Sequence, residues 1–317
     1  MSGFPKAVRI NEEGPREGFQ IEGADIPTDR KIALIDKLST TGLRQIQVAS
    51  FVNPKRVPGM ADAAEVVAGL RRIEGVRYTA LWLNEQGFRR ALATDRLDVR
   101  GRLVLCASPA FLMRNQKMTP GENMASHREQ VRAYLENGVP VEHGGLQAAF
   151  GCNFEGDIST EMMMKSAADV FSIADEFSLK LKTFVLADTM AWANPAAVAE
   201  KAKAFQDKYP DTEIILHLHN TRGLGMANAL AGLLAGVSQY DASIGGLGGC
   251  PFAAHEGAAG NLCTEDFAFM CAELGIETGL ELDKLIEAAQ LAEEIVGHPL
   301  PGSVMRGGNL DNLRQAL

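Results

Sequence analysis

His217-Leu218-His219 sets two imidazoles at i and i+2 of a β-type run. On an extended chain such residues point the same way, so both rings can face one cation. A polar strand end is the plainer reading of the same tripeptide. A second segment, Asn11-Glu12-Glu13-Gly14-Pro15-Arg16-Glu17-Gly18-Phe19-Gln20, packs three carboxylates and a guanidinium around two glycines. Such a turn can offer a carboxylate to a metal and an arginine to a developing oxyanion; it can equally be a solvated acidic turn with a structural Arg–Glu pair. The third segment, Gly245–Phe252 continued to Asn261, is rich in glycine and carries Cys250, His255 and Glu256. It lacks the Gly-Lys-Ser/Thr ending of a P-loop and the spacing of a dinucleotide fingerprint, and reads as a lid that bears a cysteine.

These residues need elements to hold them. Short β-branched or apolar runs occur at Ala7–Ile10, Gln45–Ala49, Tyr78–Leu83, Leu103–Cys106, Leu146–Phe150, Thr183–Leu186, Glu213–His217 and Tyr240–Ile244, with amphipathic helical stretches between them. Thr119-Pro120 and Asn194-Pro195 read as an N-cap followed by a first-turn proline, and Thr28 as a further cap. A strand–helix alternation repeated eight times predicts parallel strands with helical crossovers, an α/β chain closing into a (β/α)8 TIM barrel. An open doubly wound sheet is the competing architecture. Residues 1–280 form the expected catalytic barrel and 281–317 a short C-terminal helical appendage, in which Asn309–Leu317 is a short helix or a tail. In a barrel the chemistry sits at the C-terminal strand ends and the loops after them. His217, His219 and the Asn11–Gln20 turn lie there, as do Asp188 after the sixth strand and Cys152 after the fifth.

The 317 residues carry 31 Lys+Arg against 40 Asp+Glu, a net charge of −9, which argues against a nucleic-acid partner. No apolar run is long enough to span a bilayer, and the first residues do not read as a signal peptide, so no membrane association and a cytoplasmic location are expected. Five cysteines without a Cys-x-x-Cys pair suggest neither a disulfide framework nor a thiolate zinc site. Cys106, Cys152, Cys263 and Cys271 are read as core. A homodimer is the default association.

Taken in order, Gly14-Pro15-Arg16, Ser50-Phe51-Val52-Asn53-Pro54-Lys55, Gly151-Cys152, Glu155-Gly156, Asp188-Thr189, His217-x-His219, Gly245–Pro251 and Gly260-Asn261-Leu262 with Thr264-Glu265-Asp266 form a co-linear set. With it the chain resembles the 3-hydroxy-3-methylglutaryl-CoA (HMG-CoA) lyase family, the DRE-TIM metallolyases. The resemblance implies a metal-dependent carbon–carbon lyase acting on an HMG-CoA-like acyl-CoA, releasing acetyl-CoA and a keto acid. It makes His217, His219 and Asn261 ligands of a divalent cation, with Glu17 where the family places an aspartate ligand. Mg²⁺ or Mn²⁺ suits this set, and two histidines leave Zn²⁺ or Co²⁺ open. Arg16 would stabilise the enolate oxygen, Cys250 would pass a proton to the acetyl-CoA carbon, and Asp188 would orient a histidine or substrate group. Gln20, Gln47, Asn84 and Asn115 are the further candidate substrate contacts.

The sequence departs from this pattern in several places. Glu17 is one methylene longer than the family's aspartate, Gln47 replaces a glutamate, Asn220 follows His219 where a carboxylate is usual, and the lid is longer. These changes keep open a related substrate, such as citramalyl-CoA or a bulkier glutaryl-CoA, and the reverse, Claisen-condensing chemistry. A non-catalytic binding protein is the remaining reading.

Overall fold

The computed structural model describes residues 3–22, 25–249 and 260–316; Cys250, His255 and Glu256 of the expected lid lie outside the described residues. Among the described residues the strands of the main sheet follow in chain order as β1 (Arg9–Glu12), β2 (Gln45–Ser50), β3 (Arg77–Leu81), β4 (Gly101–Cys106), β5 (Val141–Gln147), β6 (Thr183–Ala187), β7 (Glu213–His217) and β8 (Gln239–Ala242), and Gly151–Cys152 pairs with Gly156–Asp157 in a separate small ribbon. Helices occupy the crossovers, and the strand order β3-β2-β1-β8-β7-β6-β5-β4 is chain order read around a circle. This is the (β/α)8 arrangement. The chain divides into two compact units.

The first unit centres on Val99–Tyr240. Its strands β4 to β7 pair in parallel, with Cys106 opposite Gln147, Leu146 opposite Leu186, and Ala187 opposite His217. Phe184 of β6 and Phe205 meet at 4.6 Å between ring centroids, and Phe171 stacks on Phe184 at 5.7 Å. Each large side chain buried this way stabilises the fold by about 1.5–3 kcal/mol. Thr119 and Glu122 form a reciprocal capping box at the start of the helix Pro120–Glu136, and Asn194 caps Pro195–Lys208 through the N–H of Ala197. Both proline starts therefore stand as read from the sequence.

The second unit comprises Lys6–Asp98, Asp241–Gly249 and the chain from residue 260 onward. Here β1 pairs with β2 and β2 with β3, again in parallel. Leu34, Ile35 and Leu38 of the helix Thr28–Leu38 are buried, as are Leu285, Ala288 and Ala289 of the helix Leu282–Val296. Thr28 does not cap its helix; its hydroxyl donates to Asp62 at 2.7 Å. The chain ends in the helix Leu310–Ala316.

The fifth strand begins five residues earlier than its apolar run predicts, because Val141-Glu142-His143-Gly144-Gly145 hides a strand behind polar and glycine residues. Packing accounts for the glycines. A Cβ on Gly144 would stand 2.9 Å from Leu181 Cδ1, and one on Gly145 3.0 Å from Val185 Cβ. Cys152, Cys263 and Cys271 are buried free thiols. Among the described residues no helix is long and apolar enough to cross a membrane.

Candidate metal centre and active site

In the first unit the site grows from the ends of β6 and β7. His217 closes β7 and His219 follows it, their ring centroids 5.0 Å apart at an interplanar angle of 67°. His219 is buried, and its Nδ1 lies 2.8 Å from the carbonyl oxygen of Asp188. A carbonyl can only accept, so Nδ1 carries the proton and the lone pair of the neutral ring sits on Nε2. That arrangement is the one by which an outer acceptor sets a histidine for metal ligation.

Asp188 is fully buried. Its Oδ1 accepts the N–H groups of Trp192 and Ala193 at 2.7 and 2.9 Å, while Oδ2 has no hydrogen-bond partner. Burial pushes this carboxyl above its ordinary range, against the pull of His219, the two peptide N–H groups and His217. The loop is braced from neighbouring segments: Thr189 Oγ1 accepts the N–H of Ala148, and Trp192 Nε1 donates to Asn153 at 2.7 Å. Asn220 is occupied locally, its Oδ1 accepting the N–H of Gly225 at 2.9 Å as the helix Gly225–Leu234 begins. Cys152 packs with Phe111, Ala148 and Met190 and meets Ser108 Oγ at 3.0 Å, the core role read from the sequence. Asn115 is exposed on the helix Pro109–Gln116.

In the second unit the segment after β1 is a π-helical turn, Gly14–Gly18, which carries Arg16 and Glu17. Arg16 donates to Glu13 at 2.6 Å and pairs with Glu17 at 2.9 Å, while its Nε is buried without a partner. Burial opposes the guanidinium charge, yet Glu17 and Glu13 hold the pKa above its ordinary value. Gln47 Nε2 donates to Glu13 at 3.3 Å, which joins the amide to the same cluster. Gln20 Oε1 and Gln47 Oε1 are buried and unpartnered.

Glu17 and Asn261 share one neighbour, Gly248. A Cβ on Gly248 would fall 2.5 Å from Asn261 Nδ2 and 3.2 Å from Glu17 Cγ, and its φ of +91° favours glycine. Asn261 Nδ2 donates to the carbonyl of Leu247 at 3.0 Å, leaving Oδ1 as the oxygen to turn toward a cation. Thus the glycine-rich segment holds Asn261 beside Glu17. Asn84 caps the helix Glu85–Leu92, its Oδ1 accepting the N–H of Gly87 at 2.9 Å.

Beneath the turn lies a buried carboxylate that motif reasoning left without a role. Glu12 accepts the N–H of Gly14 at 2.7 Å and of Ile244 at 2.9 Å on one oxygen, and the hydroxyl of Thr264 at 2.7 Å on the other. Burial raises its pKa to about 8 against those three bonds. Glu265 accepts the N–H of Gly245 at 3.0 Å, and burial raises its pKa to about 7. A charged residue on an apolar-flanked strand, Ile10-Asn11-Glu12, was the available signal.

Each donor set by itself is of a kind that suits a divalent cation: a carboxylate and an amide oxygen in the second unit, and in the first two imidazoles, of which His219 has its tautomer set by the Asp188 carbonyl.

The HMGL-like family model matches residues 7–292. Mitochondrial hydroxymethylglutaryl-CoA lyase of Bos taurus is 39% identical over 285 residues, covering 90% of this chain and 84% of its own length. The solved HMG-CoA lyase of Bacillus subtilis superposes with a TM-score of 0.88 at 34% identity, covering 96% of this chain and 98% of that one. An HMG-CoA lyase of Acinetobacter baumannii, solved in complex with coenzyme A and 3-methylmalate, has a TM-score of 0.86 at 37% identity, covering 98% of this chain and 97% of that one. The chain belongs to the HMGL-like family of lyases, a membership that implies a divalent cation.

Proposed function

We propose that this protein cleaves HMG-CoA to acetyl-CoA and acetoacetate, with Glu17, His217, His219 and Asn261 holding the divalent cation, Mg²⁺ or Mn²⁺ first. The observation that carries the reading is the hydrogen bond from His219 Nδ1 to the Asp188 carbonyl, which commits Nε2 to act as a lone-pair donor. The named relatives support the substrate: lyases of the same name align over nine-tenths of the chain. When bound, the cation supplies Lewis acidity that eases loss of the proton from a substrate hydroxyl.

The chain's own residues do the rest. Cleavage sends the electron pair of the broken carbon–carbon bond into the thioester as an enolate, and Arg16, held in place by Glu13 and Glu17, meets the charge on its oxygen. The guanidinium is fixed before the charge forms, so little reorganisation accompanies the transition state. Asp188 sets the ring of His219 through its own carbonyl, and its carboxyl, raised by burial, is drawn toward the charged form by His219 and His217. Cys250 returns a proton to the enolate carbon. Gln20 and Gln47 contact the acyl portion and Asn84 and Asn115 the coenzyme A portion. A cytoplasmic location and a homodimer belong to the same proposal, and cell fractionation and light scattering test them.

The decisive assay removes metal with a chelator, restores Mg²⁺, Mn²⁺ or Co²⁺ in turn, and measures acetyl-CoA release from HMG-CoA. Metal-restored turnover that disappears in His219→Ala is the expected result. Turnover that survives chelation, or no release with any cation, would end the proposal.

A further inference from the structure

The bulge in β2 has a chemical consequence. Gln47 is paired with Thr79, the next aligned pair is Ala49 with Ala80, and Ser50 then aligns with Leu81. Partners in a sheet share a face and faces alternate along a strand, so the extra residue returns Ser50 to the face that already holds Gln47 and Thr79. Without the bulge Ser50 would point to the opposite side.

On this face Gln47, Ser50 and Thr79 each carry a buried polar atom without a hydrogen-bond partner: Gln47 Oε1, Ser50 Oγ and Thr79 Oγ1. The face is continuous with the catalytic turn, because Gln47 Nε2 donates to Glu13, which in turn holds Arg16. Buried polar atoms ordinarily find partners, and three unmatched ones beside an active arginine mark a surface shaped for a polar ligand group.

Their chemistry narrows that group. Gln47 Oε1 can only accept, so the ligand must bring a donor hydrogen; the two hydroxyls can donate or accept, so it must tolerate both. In an HMG-type thioester the terminal carboxylate and the thioester carbonyl only accept, and the methyl does neither. The carbinol hydroxyl gives up its proton in the reaction. An anionic branch is opposed by Glu13, hydrogen-bonded to the same amide. An uncharged hydroxyl satisfies every condition.

We propose that Gln47, Ser50 and Thr79 form a specificity wall for a hydroxyl-bearing branch on the carbinol carbon, so that the preferred substrate carries a hydroxyalkyl group where HMG-CoA carries methyl. This rests on the lyase reading and extends it. The balance of the reaction is unchanged. The same carbon–carbon bond breaks, the carbinol proton is lost, the enolate carbon gains one proton, and the branch hydroxyl leaves intact on the keto acid.

The test compares HMG-CoA with its 3-hydroxymethyl analogue on the whole metal-loaded enzyme, scoring the ratio of kcat/KM values. A ratio of at least about tenfold in favour of the hydroxymethyl substrate is expected, because a site that hydrogen-bonds a substrate hydroxyl discriminates against the analogue that lacks it. Thr79→Val, which keeps the shape and removes the hydroxyl, should shrink that ratio about tenfold, and Gln47→Leu should shrink it as well. As a reading that needs no variant, the acid product bearing the hydroxyl should bind the wild-type enzyme more tightly than acetoacetate by calorimetry. A wild-type ratio at or below one, or a ratio unmoved by Thr79→Val, overturns the wall while leaving HMG-CoA cleavage standing. Failure to cleave either thioester overturns the wall together with the lyase reading.

Discussion

The carboxylate of Glu12 accepts the hydroxyl of Thr264 at 2.7 Å, and its other oxygen takes the N–H groups of Gly14 and Ile244. One buried side chain thus ties together the start of the Arg16–Glu17 turn, the start of the glycine-rich segment and the helix that follows Asn261. Glu12→Ala leaves three buried donors without their acceptor, each costing about 1–3 kcal/mol. The expected loss is about 3 kcal/mol or more, read as a lowered denaturant midpoint. A loss below about 1 kcal/mol, the net worth of one ordinary hydrogen bond, would show that water replaces the carboxylate freely.

The same carboxylates make stability depend on pH with a definite sign. Burial holds Glu12 at about 8 and Glu265 at about 7, both above the ordinary 4.5. The folded state therefore binds more protons than the unfolded state between those limits. Stability is greatest at the acidic end of that window and falls as pH rises through 7 and 8. Unfolding free energy measured from pH 5.5 to pH 8.5 should decline, and Glu265→Gln should flatten the decline. A rising curve, or one that Glu265→Gln leaves unaltered, refutes the assignment.

Gly248 offers a direct probe of the proposed cation ligands. A Cβ there reaches 2.5 Å from Asn261 Nδ2 and strains a backbone at φ +91°. Gly248→Ala should push Asn261 away from Glu17 and weaken Mn²⁺ binding about tenfold to a hundredfold, the range seen when supports of metal ligands are disturbed. Calorimetric Mn²⁺ titration measures this without reference to turnover. Equal affinity in the variant would mean that Asn261 takes no part in holding the ion.

Much of this was legible in the sequence, for identifiable reasons. Six of the eight strands of the main sheet coincide with an apolar run because buried parallel strands need one; β1 begins two residues later than its run, and β5 shifted because Gly144 and Gly145 gain their place by close packing rather than hydrophobicity. His217 and His219 were visible through their spacing alone. The tautomer of His219 was not, because it depends on a carbonyl 31 residues away in sequence. The side-chain oxygens of Asn84 and Asn220 also accept backbone N–H groups at helix starts, a local role that residue type alone does not reveal. The polar face of Gln47, Ser50 and Thr79 was hidden because a simple alternation puts Ser50 on the wrong side, and only the bulge corrects it.

Asp188 separates charge from geometry. Its Oδ1 holds the N–H groups of Trp192 and Ala193, and its main chain holds His219, whereas Oδ2 meets no hydrogen-bond donor. In Asp188→Asn the amide oxygen can keep both backbone bonds and the main-chain carbonyl is untouched, so the loop and the His219 tautomer should persist. What disappears is a carboxyl that can ionise, whose charged form His219 and His217 favour against burial. A loss of about tenfold to a hundredfold in kcat, or a matching loss of Mn²⁺ affinity, is expected with an unchanged near-ultraviolet circular dichroism spectrum. Asp188→Ala, which also releases Trp192 and with it Asn153, should in addition lower thermal stability. If Asn and Ala variants lose activity and stability to the same extent, the residue serves the loop alone and its charge plays no part in the chemistry.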